Sequence, residues 1–226
     1  MDIKIKIKNA ISDYNPLAVS RRKKMQNRLV NKNFSFICPN CIGGMLLHDL
    51  GVPFLSPTVN LMMHQREFVQ FVLDLDYYLS QELEFYDDPN YDCPCATLGE
   101  GRRAIIVHFT HYANSEDAKF NWEKRKSRIC YDNLFVFAVE KDGMTKKDII
   151  KLGSLNVRGL VVFTAHDYSD IPYACFIPEY QANGMVGNVL VRSYLNDEKE
   201  YERYFDFVKW FNEADGKDYN CKPYML

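Results

Sequence analysis

Residues 134–164 read LFVFAVEKDGMTKKDIIKLGSLNVRGLVVFT, and this stretch decides the fold. Leu134–Val139 and Leu160–Thr164 are short, continuous apolar runs without polar alternation, the pattern of strands buried on both faces. Lys146–Leu152 between them reads as a short helix. Strand, helix, strand is the unit of a parallel sheet.

The same reading extends outward. Ala104–Phe109 and Phe34–Ile37 are further strands of this type, Tyr173–Ile177 is another candidate, and Leu83–Tyr86 is a short one. Asn15-Pro16 starts a mostly basic helix, with Asn as cap and Pro in the first turn, running to about Asn31. Phe68, Phe71, Val72, Leu75 and Leu79 share one face of a helix over 65–81. Asn114 or Ser115 caps a helix to about Ile129, and an amphipathic helix from about Glu198 to Phe211 closes the chain. Ile3, Ile5 and Ile7 alternate with lysines as an edge strand would. The expected fold is α/β, a mostly parallel sheet with helices on both faces. A basic arm over 1–32 precedes a single α/β domain over 33–226, with residues 166–196 left open as a small extra lobe.

The chain has 226 residues and is 47% hydrophobic and 26% charged, which excludes a disordered or fibrous protein. No run is long enough to span a bilayer, and no signal peptide is visible. The net charge of −2 conceals an asymmetry. Residues 1–32 hold nine Lys/Arg against Asp2 and Asp13, about +7, which leaves the other 194 near −9. Such an arm suggests contact with something anionic, such as a membrane surface, a nucleic acid or a phosphorylated carrier, or else a solvated helix face. Nucleic acid is not expected, because the body has no basic stripe with exposed aromatics. Seven cysteines, an odd number, fit free thiols in a reducing cytoplasm, and from there peripheral contact with the inner face of the membrane.

Ligands of open α/β sheets bind beyond the carboxyl ends of the strands. There the chain places Asn40, Cys41, Gly43 and Gly44; then His108, His111 and Tyr112; then Glu140 and Asp142; then His166 and Asp167. Cys41 on a strand-to-helix turn is a candidate nucleophile or ligand contact, with His108 or His111 as base and Asp142 as orienting carboxylate. The plain alternative is a buried thiol beside a tight turn. Asn40, Gly43 and Gly44 would let substrate approach closely. Arg125 lies in the apolar stripe of its helix and should meet a carboxylate or an anionic ligand, with Arg128 beside it. Cys38-Pro39-Asn40-Cys41 looks like a redox turn, and Cys38, Cys41, Cys93 and Cys95 could supply four thiolates to zinc, but the second pair is tightly spaced. Asp74 and Asp76 fall inside a helix, pointing apart, and read as surface acids.

Taken together, Asn40–Gly44, Leu55–Leu61, Tyr78-Leu79, His108–Tyr112, Trp122–Arg125, Arg128-Ile129 and Asp132–Val136 resemble, in order, the uncharacterised bacterial domain-of-unknown-function family nineteen-nineteen. The resemblance covers about residues 20–213. Its members are often labelled exopolysaccharide or capsular polysaccharide biosynthesis proteins, some of them transferases. It implies glycosyl or acyl transfer to a small or carrier-linked sugar intermediate, or a non-catalytic partner in a glycan-assembly complex. It names no catalytic residues and no cofactor. The family tends to have Ser where this chain has Cys38, which argues against a redox pair and against four-thiolate zinc; Cys41 is the matching position.

Overall fold

The computed structural model describes residues 15–217 and 219–226. The edge strand expected from Ile3, Ile5 and Ile7 lies outside them. In chain order the elements are α1 (Pro16–Arg28), β1 (Ser35–Ile37), α2 (Ile42–Leu50), α3 (Gln65–Leu73), α4 (Leu75–Ser80), β2 (Leu83–Tyr86), β3 (Cys95–Leu98), β4 (Ile105–His108), α5 (Ser115–Lys126), β5 (Leu134–Val139), α6 (Lys146–Leu152), β6 (Gly159–Thr164), β7 (Ala174–Phe176) and α7 (Phe207–Glu213).

The main sheet has the order β1-β5-β6-β7, and all its pairings are parallel. All six residues of β5 and all six of β6 are buried, as continuous apolar runs require. Phe135, Phe137, Val161 and Phe163 face one core with Phe34, Phe36, Trp210 and Phe211. Val136, Ala138, Leu160 and Val162 face the other, with Phe71 and Trp122. Gly159 is needed where the two layers are tightest: a Cβ there would lie 2.6 Å from the Phe135 ring and 2.8 Å from Trp210.

β2, β3 and β4 form a separate antiparallel sheet. The strand expected over Ala104–Phe109 therefore belongs to this sheet and not to the parallel one. An apolar run shows burial, not the direction of its neighbour. β7, within the segment left open as a lobe, joins the main sheet. The helix expected over 65–81 breaks at Asp74, whose backbone (φ −137, ψ 50) is not helical and whose carboxylate pairs with Arg103. The closing helix starts later than expected, at Phe207, where the Asp206 side chain caps it by accepting from Lys209 N.

Two caps behave as read. Asn15 accepts from Leu17 N ahead of Pro16, and Asn114 accepts from Asp117 N at 2.8 Å. α1 is packed on the body: Ala18 and Met25 are buried, Arg21 pairs with Asp49 and Glu202, and Arg28 pairs with Asp206. Lys23, Lys24 and Lys32 remain exposed. Among the described residues no helix is long and apolar enough to cross a membrane.

Candidate functional site

The site is assembled by a short joint between the two sheets. Met62 pairs with His108 through Met62 N to His108 O (2.7 Å) and His108 N to Met62 O (2.9 Å), while Met63 N donates to Pro39 O (2.8 Å). The end of β1 and the end of β4 are thus held against one extended segment. Cys41 follows the first of these ends as the residue before α2, and His111 follows the second.

Cys41 Sγ lies 3.0 Å from His111 Nε2 and 3.9 Å from Thr110 Oγ1. Burial pushes the Cys41 thiol up, and the hydrogen bond to Thr110 pulls the other way. It therefore stays protonated until a base removes its proton, and His111 Nε2 is placed to be that base. Asn40 holds the turn, its Oδ1 accepting from Ile42 N at 3.0 Å. Gly43 is a packing requirement, since a Cβ there would lie 2.5 Å from Cys38 Sγ.

Cys41 and His111 open into a pocket of about 340 Å³, also lined by Arg22, Phe54, Arg192 and Lys199. Gly44, Met45, His48 and Asp49 present one face of α2 to it. Lys199 is 2% exposed and bonds Asp49 and Asp197, the latter at 2.9 Å. Arg192 reaches the same Asp197 at 3.5 Å. Burial alone would push Asp49 up; Lys199 and Arg21 outweigh it and hold the carboxyl below its ordinary range. The wall beside the thiol is thus rich in cations fixed by carboxylates, a setting suited to an anionic ligand. Sequence reasoning missed Arg22, Arg192 and Lys199; Arg22 and Lys199 are tied to the wall by partners far along the chain, Asp197 and Asp49.

The other expected residues go elsewhere. His108 stands directly opposite Cys95 in the β3–β4 ladder, with Nδ1 3.3 Å from Cys95 Sγ and Nε2 buried without a hydrogen-bond partner among the described residues. Tyr91 lies on its ring at 4.0 Å between centroids. Asp142, in a left-handed conformation (φ 50), stands 3.7 Å from His64 Nδ1 and not against His111. Arg125 meets no carboxylate among the described residues. Its Nη1 donates to Val59 O (2.8 Å) and to the Tyr112 hydroxyl (2.5 Å). Arg128 is exposed. Glu140, also at a strand end, is consumed locally. It accepts from Ala165 N, His166 N, His166 Nδ1 and the Tyr168 hydroxyl.

Cys38 is fully buried, its thiol pushed up to about 12 by burial and donating to Asn40 O, so it is not a ready attacking thiolate. Among the described residues no group of His, Cys, Asp and Glu stands where it could hold a metal ion.

His108 has a measurable consequence. Burial first, then the neighbouring His64, lowers its pKa from the ordinary 6.5. Between those two values the unfolded chain binds a proton that the folded one refuses, so stability falls as pH drops through about 6.5. Replacing His108 with Gln should flatten that slope in urea unfolding between pH 7.5 and 5. An unchanged slope would remove His108 as its source.

Residues 14–212 match the family described as Domain of unknown function (DUF1919). An uncharacterized protein of Haemophilus influenzae (strain ATCC 51907 / DSM 11121 / KW20 / Rd) is 35% identical over 210 residues, covering 92% of this chain and 98% of that relative.

Proposed function

The chain belongs to the DUF1919 family, and we propose that it acts there as a thiol-dependent acyltransferase on an anionic sugar intermediate of bacterial surface-polysaccharide assembly. The observation that carries this reading is the 3.0 Å approach of Cys41 Sγ to His111 Nε2 in a pocket walled by Arg192 and Lys199. The resemblance to exopolysaccharide and capsular polysaccharide proteins supports the pathway. Acyl transfer is favoured over glycosyl transfer because a thiol beside an imidazole is the nucleophile–base pair of covalent acyl chemistry, whereas the pocket's carboxylates, Asp49 and Asp197, are already bound by Lys199.

The chemistry follows from the pair. His111 Nε2 takes the thiol proton as Sγ attacks the acyl carbonyl. The C–S bond forms, the donor's C–O bond breaks, and His111 returns the proton to the leaving oxygen. A sugar hydroxyl then gives its proton to the same nitrogen and attacks the thioester. Sγ leaves and regains the proton. The test is mass-spectrometric capture of an acyl group on the Cys41 peptide after exposure to activated acyl donors. Acylation confined to other cysteines would overturn the reading.

The arm forms part of the same proposal. Exposed Lys23, Lys24 and Lys32 would hold the molecule near anionic lipid, where carrier-linked sugars reside, at about 1 kcal/mol per lysine. Changing Lys23 and Lys24 together to Ala should weaken cosedimentation with phosphatidylserine vesicles by about tenfold or more; equal binding removes this role. A non-catalytic partner role is the second reading. It is favoured by exposed Val191, Tyr194 and Leu195 (54%, 91% and 69%) around Arg192 at the pocket wall.

A further inference from the structure

A thiol that attacks an acyl carbonyl needs a donor for the oxygen that turns negative. Two of the N–H groups at the start of α2 are already engaged. Ile42 N donates to Asn40 Oδ1, and Gly43 N is engaged by Cys38 Sγ. A side chain can supply the donor, and Asn60 lines the same pocket as Cys41 and His111.

Three features single Asn60 out. Its backbone is left-handed at φ 66, a conformation that asparagine adopts more readily than other non-glycine residues and that sets its side chain at the turn. Gly44, in the first turn of α2, makes the space for its amide, since a Cβ there would sit 2.7 Å from Asn60 Oδ1. The side chain itself has no hydrogen-bond partner among the described residues. Arg125 fixes this arrangement from behind. It binds the carbonyl of Val59, which precedes Asn60, and the hydroxyl of Tyr112, which follows His111.

We propose that the Asn60 side-chain amide is the oxyanion donor of the Cys41 site, an inference that rests on the acyl-transfer reading above. As Sγ forms its bond to the carbonyl carbon, the π pair moves to oxygen and the amide N–H donates to it. When the pair returns, the alkoxide or phenoxide leaving group departs. Asn60 thereby stabilises the charged intermediate without exchanging a proton.

The test compares two reagents on Cys41. Iodoacetamide is attacked at a saturated carbon and loses iodide without forming an oxyanion. p-Nitrophenyl acetate passes through one before losing p-nitrophenolate. Wild type, Asn60→Gly and Asn60→Asp are treated with each, and the Cys41 peptide is followed by mass spectrometry. Glycine tolerates the left-handed backbone, and aspartate keeps the shape but cannot donate. Alkylation should stay within about twofold of wild type, while acetylation falls on the order of 10²-fold in both variants. Unchanged acetylation overturns the assignment. A parallel loss of both reactions overturns it too, because Asn60 would then act only by holding the site together. A wild-type protein that is alkylated at Cys41 but never acetylated refutes the acyl-transfer reading itself, and the role of Asn60 falls with it.

Discussion

On the acyl-transfer proposal, Cys41→Ala should abolish acyl capture and, in cells that depend on the protein, surface-glycan production. The expected loss is at least about three orders of magnitude in the rate of transfer, the scale on which removal of a nucleophile is felt. No other thiol is placed to substitute. Cys38, Cys95, Cys175 and Cys221 are buried, and burial pushes Cys38 to about 12 and Cys95 to about 11. Cys93 and Cys130 are partly exposed, but neither lines the pocket. His111→Gln should cost less, about 10²- to 10⁴-fold, because it removes the base and leaves the thiol. Full glycan production with Cys41→Ala would exclude catalysis by this residue and leave the partner reading.

Lys199→Met is expected to destabilise the fold by roughly 3–5 kcal/mol, the cost of removing one member of a buried ion cluster. The Lys199 ammonium is 2% exposed and lies between Asp49 and Asp197. Methionine fills similar space but leaves the Asp49 charge with Arg21 and the exposed imidazole of His48, 3.5 Å away, as its basic partners. The effect depends on pH in a defined direction. In the wild type the Asp49 pKa is depressed, so its contribution is complete above the ordinary carboxyl range and is lost as pH falls through the depressed value. In the variant Asp49 takes up a proton more readily, which relieves the unpaired charge. The gap between wild-type and variant urea midpoints should therefore narrow from pH 7 to pH 4.5. A gap that is small at pH 7, or independent of pH, would show that the cluster contributes little.

These two residues were unequally visible in the sequence. Cys41 stands after an apolar strand and before a helix, so local pattern alone marks it. Lys199 is one charged residue among many; its partner Asp49 is 150 residues away. The histidines show a subtler limit. His108 ends β4 and His111 lies three residues beyond it, and either could serve as the base on spacing alone. His108 is still in register with Cys95, which turns its ring onto that neighbour. The chain leaves the ladder before His111, and only that departure lets the second imidazole reach Cys41. Arg125 is half-buried and does not meet the carboxylate that its place in the apolar stripe suggests. Its partner is a backbone carbonyl and a phenol, groups that no charge pattern reveals.

The sequence by itself determined the layered α/β architecture, because strands covered on both faces must be apolar throughout and leave that mark in any order of assembly. It also determined the helix starts at Asn15 and Asn114, where a side chain satisfies the nearby backbone N–H groups. Only the tertiary structure decided which sheet β4 joins, which histidine meets the thiol, and which cations wall the pocket. Each of these is a choice of partner between segments far apart in the chain. Hydrophobic burial drives such segments together without direction, and the final pairing follows from how hydrogen bonds and charges are satisfied once they meet.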